Sequence, residues 1–259
     1  MGNSPQQTGW STSDLQADPH GNAGKAEKVS DMFTAIAPHY DLNNRLHSFG
    51  RDQAWRRALV RRASVKPSDR ILDIACGTGD LTEAFARSNP TSVTGMDFNQ
   101  AMLDVANQKM TRRRWPTHPT YVLGDAMDLP FESGSFDILS IAFGIRNVTS
   151  PEAAIREFHR VLAPGGRLLV LEFSEPQFTP FRLLNHFYCH HVMPRTASWI
   201  ARDRSGAYRY LPRSIETFMS RKKMLDLLES GGFSDLSVHP MTMGICCIYQ
   251  GLRCENNKG

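Results

Sequence analysis

The stretch Ile71–Asp80, ILDIACGTGD, runs from apolar residues into a glycine-containing loop. Such a loop lets main chain approach a ligand, because glycine puts no side chain in the way. A helix starting after it would turn free N–H groups toward a carboxylate or phosphate. Asp97 closes the next apolar run, SVTGMDF, where an acid is placed to accept hydrogen bonds from ribose hydroxyls. Gly77-Thr78-Gly79 is followed by Asp80, not by the spacing and third glycine of a dinucleotide fingerprint, and Asp73 ahead of the loop is also foreign to it. A structural strand–turn–helix is the competing reading of the loop alone. Asp73, Asp97 and Asp125, each ending an apolar run, favour a ligand site.

A second polar group stands at the end of another apolar run: FDILSIA leads into FGIRNV (143–148). An arginine is effectively always protonated. Arg146 therefore suits stabilising an oxygen anion or orienting a hydroxyl better than removing a proton. The competing reading is an anchor, with Arg146 paired to Asp41 or another acid. His186, His190 and His191 cluster around Cys189, and helical spacing puts 186 and 190 on one face. With no acidic third ligand beside them in sequence, they read as a channel or core helix, and no metal is expected.

These residues need a scaffold. Strands are expected at 70–75, 92–98, 120–125, 136–143 and 167–173, with helices at 81–88, 99–110 and 151–162 between them. The alternation predicts a doubly wound, mostly parallel α/β sheet, and the last two apolar runs add a final strand pair for seven strands. Ahead of it, apolar residues at helical spacing over 27–40 and 51–63 predict two helices, with arginines on the outer face of the second. "PGG" after 162 reads as a turn. Residues 214–233 read as one amphipathic helix, capped by Ser214 and stopped at Gly231–Gly232. The expected organisation is a disordered tail over 1–24 and a single domain over 25–253. That domain holds a helical cap over 25–66 and a helical insert over 178–213, and a short tail covers 254–259.

Of 259 residues, 41% are hydrophobic, enough for a packed core. No run approaches the roughly 18 apolar residues of a membrane span. The polar first residues lack the apolar stretch of an export signal, and five cysteines without a C-x-x-C fit reduced thiols, so a cytoplasmic location is expected. The net charge of +4 does not suggest a nucleic-acid partner. The Arg56–Arg62 run is a solvated helix face or a surface that rests on anionic lipid.

The loop with Asp97 and Asp125 resembles the S-adenosylmethionine-dependent class I methyltransferase fold, a Rossmann-like sheet. That resemblance implies S-adenosyl-L-methionine as cofactor. It places Asp73, Gly77, Thr78 and Gly79 near the methionine and ribose, Asp97 on the ribose, and Asp125 with Ala126 near the adenine. No Asn/Asp-Pro-Pro-Tyr follows the fourth strand, no Pro-Cys nucleophile occurs, and no acidic metal cluster follows that strand. Amino-methylating, cytosine and catechol-type enzymes are thereby disfavoured.

MFTAIAPHYDLNNRLHSFG (32–50), FGIRNV (143–148), RVLAPGGRLLVLEFSEP (160–176) and YRYLPRSIETF (208–218) together resemble the menaquinone/ubiquinone-biosynthesis C-methyltransferases. The resemblance runs over about 25–253 in one order. It implies methylation of a ring carbon of a polyprenylated quinol, demethylmenaquinol first and the ubiquinone precursor second. Arg146, Asn147, Tyr40, Asp41 and Asn44 are then the catalytic group. Peripheral contact with the inner face of the membrane, and a homodimer, are further expectations. Asp52 stands where that family usually has His, Met219 where Pro is usual, and Ala142 where a serine usually contacts the cofactor. Ala142 thus offers only its backbone.

Overall fold

The computed structural model of the protein describes residues 10, 14, 19–22, 24–201 and 207–254. Strands β1 (Arg70–Ile74), β2 (Ser92–Asp97), β3 (Thr120–Leu123), β4 (Phe136–Ala142), β5 (Leu162–Phe173), β6 (Phe233–Met241) and β7 (Cys246–Arg253) form one sheet in the order 3-2-1-4-5-7-6. The first five are parallel, and β7 runs antiparallel between β5 and β6. This is the seven-stranded α/β sheet that the alternating pattern predicts.

The central strands are buried on both faces, so consecutive residues enter different cores. Leu72, Leu139 and Leu168 pack on one side with Ile155 and Phe158 of helix α6 (Pro151–Val161) and Leu228 of α10 (Arg221–Ser230). Ile71, Ile138 and Leu169 pack on the other with Trp55 and Leu59 of α3 (Arg51–Ala63) and Phe85 of α4 (Asp80–Ala86). Each fully buried side chain of this size contributes roughly 1.5–3 kcal/mol.

A third core joins the cap to the insert. It gathers Val29, Met32 and Ile36 of α1 (Lys25–Ile36), Met102 of α5 (Gln100–Thr111), Met193 and Ala197 of α8 (Met193–Ala201), and Tyr208 and Tyr210 of α9 (Ala207–Glu216). Trp10 belongs to it, buried and stacked on Tyr210 with centroids 4.5 Å apart. The disordered tail expected over 1–24 lies largely outside the described residues; within it Trp10 and Pro19 are buried. Pro38 interrupts the cap because it has no N–H to donate and its ring crowds the preceding turn, and α2 (Tyr40–His47) starts afresh after a 3₁₀ turn.

Three local expectations change. The "PGG" turn lies inside β5, where Gly165 at φ +72° accompanies a shift of register between Phe136 and Ile138 on β4. The helix expected over 214–233 is two: α9 ends at Glu216, and α10 is capped by Ser220, whose hydroxyl accepts from Lys223 N–H. Ser214 sits buried within α9. Of the arginines expected on the solvent face of α3, Arg56 is buried and ion-paired to Asp52 at 3.1 Å. No helix among the described residues is long and apolar enough to cross a membrane.

Candidate active site

The chain leaves β1 toward one side of the sheet and β4 toward the other, so a crevice opens at their C-terminal ends. Ala75 after β1 and Phe143 after β4 both adopt the left-handed region, at φ +50° and +58°. Such backbone costs on the order of 1–3 kcal/mol per residue and persists where its surroundings hold it. Gly144 fits beside them because a Cβ there would lie 2.5 Å from the Ala75 Cβ. The cleft encloses a small cavity of about 100 Å³.

Asp97 reaches this cleft, as do Gly77, Asp125, Ala126 and Ala142. The Asp97 carboxyl accepts from Gly77 N–H at 2.7 Å and from Asn99 N–H at 2.9 Å. Burial pushes its pKa up to about 6 against those hydrogen bonds. A carboxylate has about four acceptor directions. These main-chain N–H groups leave acceptor capacity for a hydroxyl. Ile74, Met96, Phe98 and Met102 supply apolar walls beside it. An acid with free acceptor capacity beside an apolar slot fits a ribose carrying a flat base.

Asp73 is not brought to the cleft. Its carboxyl accepts from Thr82 Oγ1 and Ser140 Oγ, both at 2.7 Å, and so ties β1 to α4 and β4. Burial raises its pKa to about 6 despite these bonds. Gly79 is also a packing position: a Cβ there would meet the Tyr121 hydroxyl at 2.3 Å, and its φ is +83°. Thr78 faces the cap and donates from Oγ1 to Asp41 at 2.5 Å.

Asp41 therefore does not pair with Arg146. It also takes Lys109 Nζ at 2.9 Å, and the same ammonium reaches Asp80 at 2.6 Å. Gln53 and Arg45 add to Asp80 at 2.9 and 3.1 Å. Burial alone would raise the Asp80 pKa, but the cations Lys109, Arg56 and Arg45 bring it below the usual carboxylate range. This network fastens α2 and α3 to the end of the glycine loop. Lys109 had no signal in the sequence beyond one charge on a helix.

Arg146 is buried and does not line the cleft. Its guanidinium donates to Glu172 Oε1 at 2.6 Å and to Phe143 O at 2.7 Å, and lies 5.2 Å from the Phe173 ring centre. Of the two readings of this residue, the anchor has the geometry, with Glu172 of β5 as the acid. One Arg146 nitrogen, Nε, is buried without a partner.

Asn147 and Tyr40 do line the cleft. Asn147 Oδ1 accepts from the Tyr210 hydroxyl at 2.9 Å, so α9 orients its amide. The Tyr40 ring meets Phe33 edge-on at 6.0 Å. Burial raises the Tyr40 pKa, while Arg56, a hydrogen bond with Asn44 and Arg146 act against it. Asn44 thus works through Tyr40. Lys25, whose Nζ donates to Val148 O at 2.7 Å, nails the first turn of α1 to the segment carrying Arg146 and Asn147.

Comparison with known proteins agrees with this geometry. The model of the ubiE/COQ5 methyltransferase family matches residues 22–253. Ubiquinone/menaquinone biosynthesis C-methyltransferase UbiE of Geotalea daltonii is 40% identical over 229 residues, covering 88% of this chain and 97% of its own. The protein of that name in Erwinia tasmaniensis is 40% identical over 231 residues, covering 88% and 92%. Among solved structures, a SAM-dependent methyltransferase of Thermotoga maritima superposes with a TM-score of 0.60 at 19% identity, over 86% of this chain and 99% of that one. The cyclase SpnF superposes with 0.67 at 16%, over 90% and 97%, so the fold alone does not fix a reaction. Match length and identity together place the chain: it belongs to the ubiE/COQ5 methyltransferase family, with S-adenosyl-L-methionine as cofactor.

Proposed function

We propose that the chain methylates a ring carbon of a polyprenylated quinol, demethylmenaquinol first and the ubiquinone precursor second. One observation carries this reading. A single cleft joins an acid-and-apolar end, at Asp97 and Asp125, to an aromatic end built from Phe33, Tyr40 and Phe143. When bound, S-adenosyl-L-methionine supplies an electrophilic methyl on its sulfonium.

The residues of the chain then have three tasks. Asp97 takes the ribose hydroxyls and fixes the cofactor. Tyr40 stays a neutral phenol, because burial raises its pKa, and donates to a quinol oxygen. Asn147, held by Tyr210, fixes the ring in its plane. Alignment of reacting atoms at about 3–3.5 Å is the largest contribution such a site makes. Arg146, paired with Glu172 and donating to Phe143 O, holds the turn that carries Asn147, so it is a positioning residue.

The same reading includes peripheral contact with a membrane, where a polyprenyl tail resides. The surface that suits it is not the arginine face of α3, whose end receives Arg167 near the start of β5, away from the cleft. It is the apolar face of α7 (Thr179–Phe187), with Leu183, Leu184 and Phe187 exposed, beside Leu46 and Phe49 of the cap. Phe49 contacts Tyr188 at 5.8 Å, which makes the two groups continuous, and Arg45 and Arg182 flank them. Such a face suits an anionic bilayer.

The test is direct. The purified chain is given the cofactor with each reduced quinol in turn, and products are weighed by mass spectrometry. A demethylmenaquinol product one methyl heavier is expected. Cofactor binding without turnover of either quinol overturns the proposal.

A further inference from the structure

The histidines of the insert acquire a third partner that the sequence did not place beside them. Helix α7 continues into a π-helical turn, Tyr188–Val192, before α8. Turns of this kind occur often at functional sites. The turn carries His190 over His186, with the rings stacked 4.2 Å apart at 24°. Both Nε2 atoms face one oxygen of Glu216, the last residue of α9, at 2.6 Å from His190 and 3.3 Å from His186. Its other oxygen lies 3.8 Å from the Arg213 guanidinium.

We propose that His186, His190 and Glu216 form a binding site for a divalent transition-metal ion of the zinc type. Their donor atoms lie within 4.8 Å of one another. Bonds of about 2.0–2.1 Å to nitrogen and about 2.0–2.2 Å to oxygen need donors roughly 3.3 Å apart in a tetrahedron. The His186–Glu216 separation of 3.3 Å matches that figure, and the His190–Glu216 separation of 2.6 Å widens by about 0.7 Å when an ion replaces the hydrogen bond. Two imidazoles and one carboxylate leave a coordination position open to water. Arg213 orients the carboxylate as outer partners of metal ligands do. Cys189 is not one of the donors gathered there, and its Sγ lies 3.9 Å from Asn185 Oδ1.

The ion would tie the α7–π segment to α9. Tyr210 of α9 orients Asn147 in the cleft, and Tyr208 of α9 accepts from Asn43 Nδ2 of the cap at 2.7 Å. The site is therefore a clasp on the insert, distinct from the methyl-transfer cleft, and it sits beside the apolar face of α7.

The full-length chain, freed of metal by chelator dialysis, is titrated with zinc against a chromophoric chelator. One equivalent is expected. Affinity should fall at least tenfold in Glu216→Gln and in His190→Ala. Cys254→Ser, at an exposed cysteine, should bind as the parent does. Zinc should raise the melting temperature of the parent and not of Glu216→Gln. His186→Ala serves as a second reading if either variant misfolds. No stoichiometric zinc binding overturns the proposal, as does parent-like binding in the folded His and Glu variants.

Discussion

The two ends of the cleft are built in opposite ways. At the cofactor end, Gly77, Asp97, Asp125 and Ala142 stand on or just beyond the ends of four strands that the sheet holds in register. At the acceptor end, Tyr40 comes from the cap and Asn147 from the turn after β4, and α9 orients Asn147 from 63 residues further along the chain. A sheet edge positions its loops through many backbone hydrogen bonds at once. The acceptor end depends on single side-chain contacts between separate elements. One end should thus respond to mutation by losing binding, and the other by losing alignment or the packing beneath it.

The largest expected effect lies beneath the acceptor end. Glu172→Ala leaves the Arg146 charge buried without its acid, and should lower stability by about 3–5 kcal/mol in urea unfolding. A loss under 1 kcal/mol would mean that Arg146 finds another partner and that the anchor is weaker than its geometry.

Next comes the strut under the glycine loop. Asp73 has a folded pKa of about 6 against roughly 3.9 unfolded. Its folded state binds protons more tightly, so its contribution is full below the unfolded value and is lost as pH rises through 6. Asp73→Asn removes that slope. Relative to the parent, the variant should gain about 2–3 kcal/mol between pH 4 and pH 7. Denaturation at the two pH values checks the sign.

Asp97→Ala removes charge-assisted bonds to ribose, worth about 1.5–3 kcal/mol. Calorimetry should show cofactor affinity falling roughly 10–150-fold. The smallest effect is Tyr210→Phe, which deletes the hydroxyl on Asn147. About 1 kcal/mol in kcat/KM is expected, some fivefold, with cofactor affinity unchanged. If Tyr210→Phe weakened cofactor binding as Asp97→Ala does, the two ends would not be separable.

The same contrast explains what the sequence reveals. Asp97 and the glycine loop are legible because a strand end, a glycine and an acid are signals within a few residues of one another. The partner of Arg146 is not legible, since Glu172 lies on β5 and only sheet register brings it close. Glu216 beside His186 and His190, Lys109 between Asp41 and Asp80, and Trp10 on Tyr210 are hidden for the same reason. Ser214 misleads because the break at 217–220 leaves no glycine or proline as a signal, and only hydrogen bonding shows that Ser220 is the cap.

The central claim is that one cleft has a cofactor end and a separate quinol end. Tyr40→Phe tests it most directly, read by cofactor calorimetry and by single-turnover methylation of demethylmenaquinol. Cofactor affinity should stay within about twofold while the methylation rate falls by about tenfold or more. An unchanged rate, or a matching loss of cofactor affinity, would contradict the account.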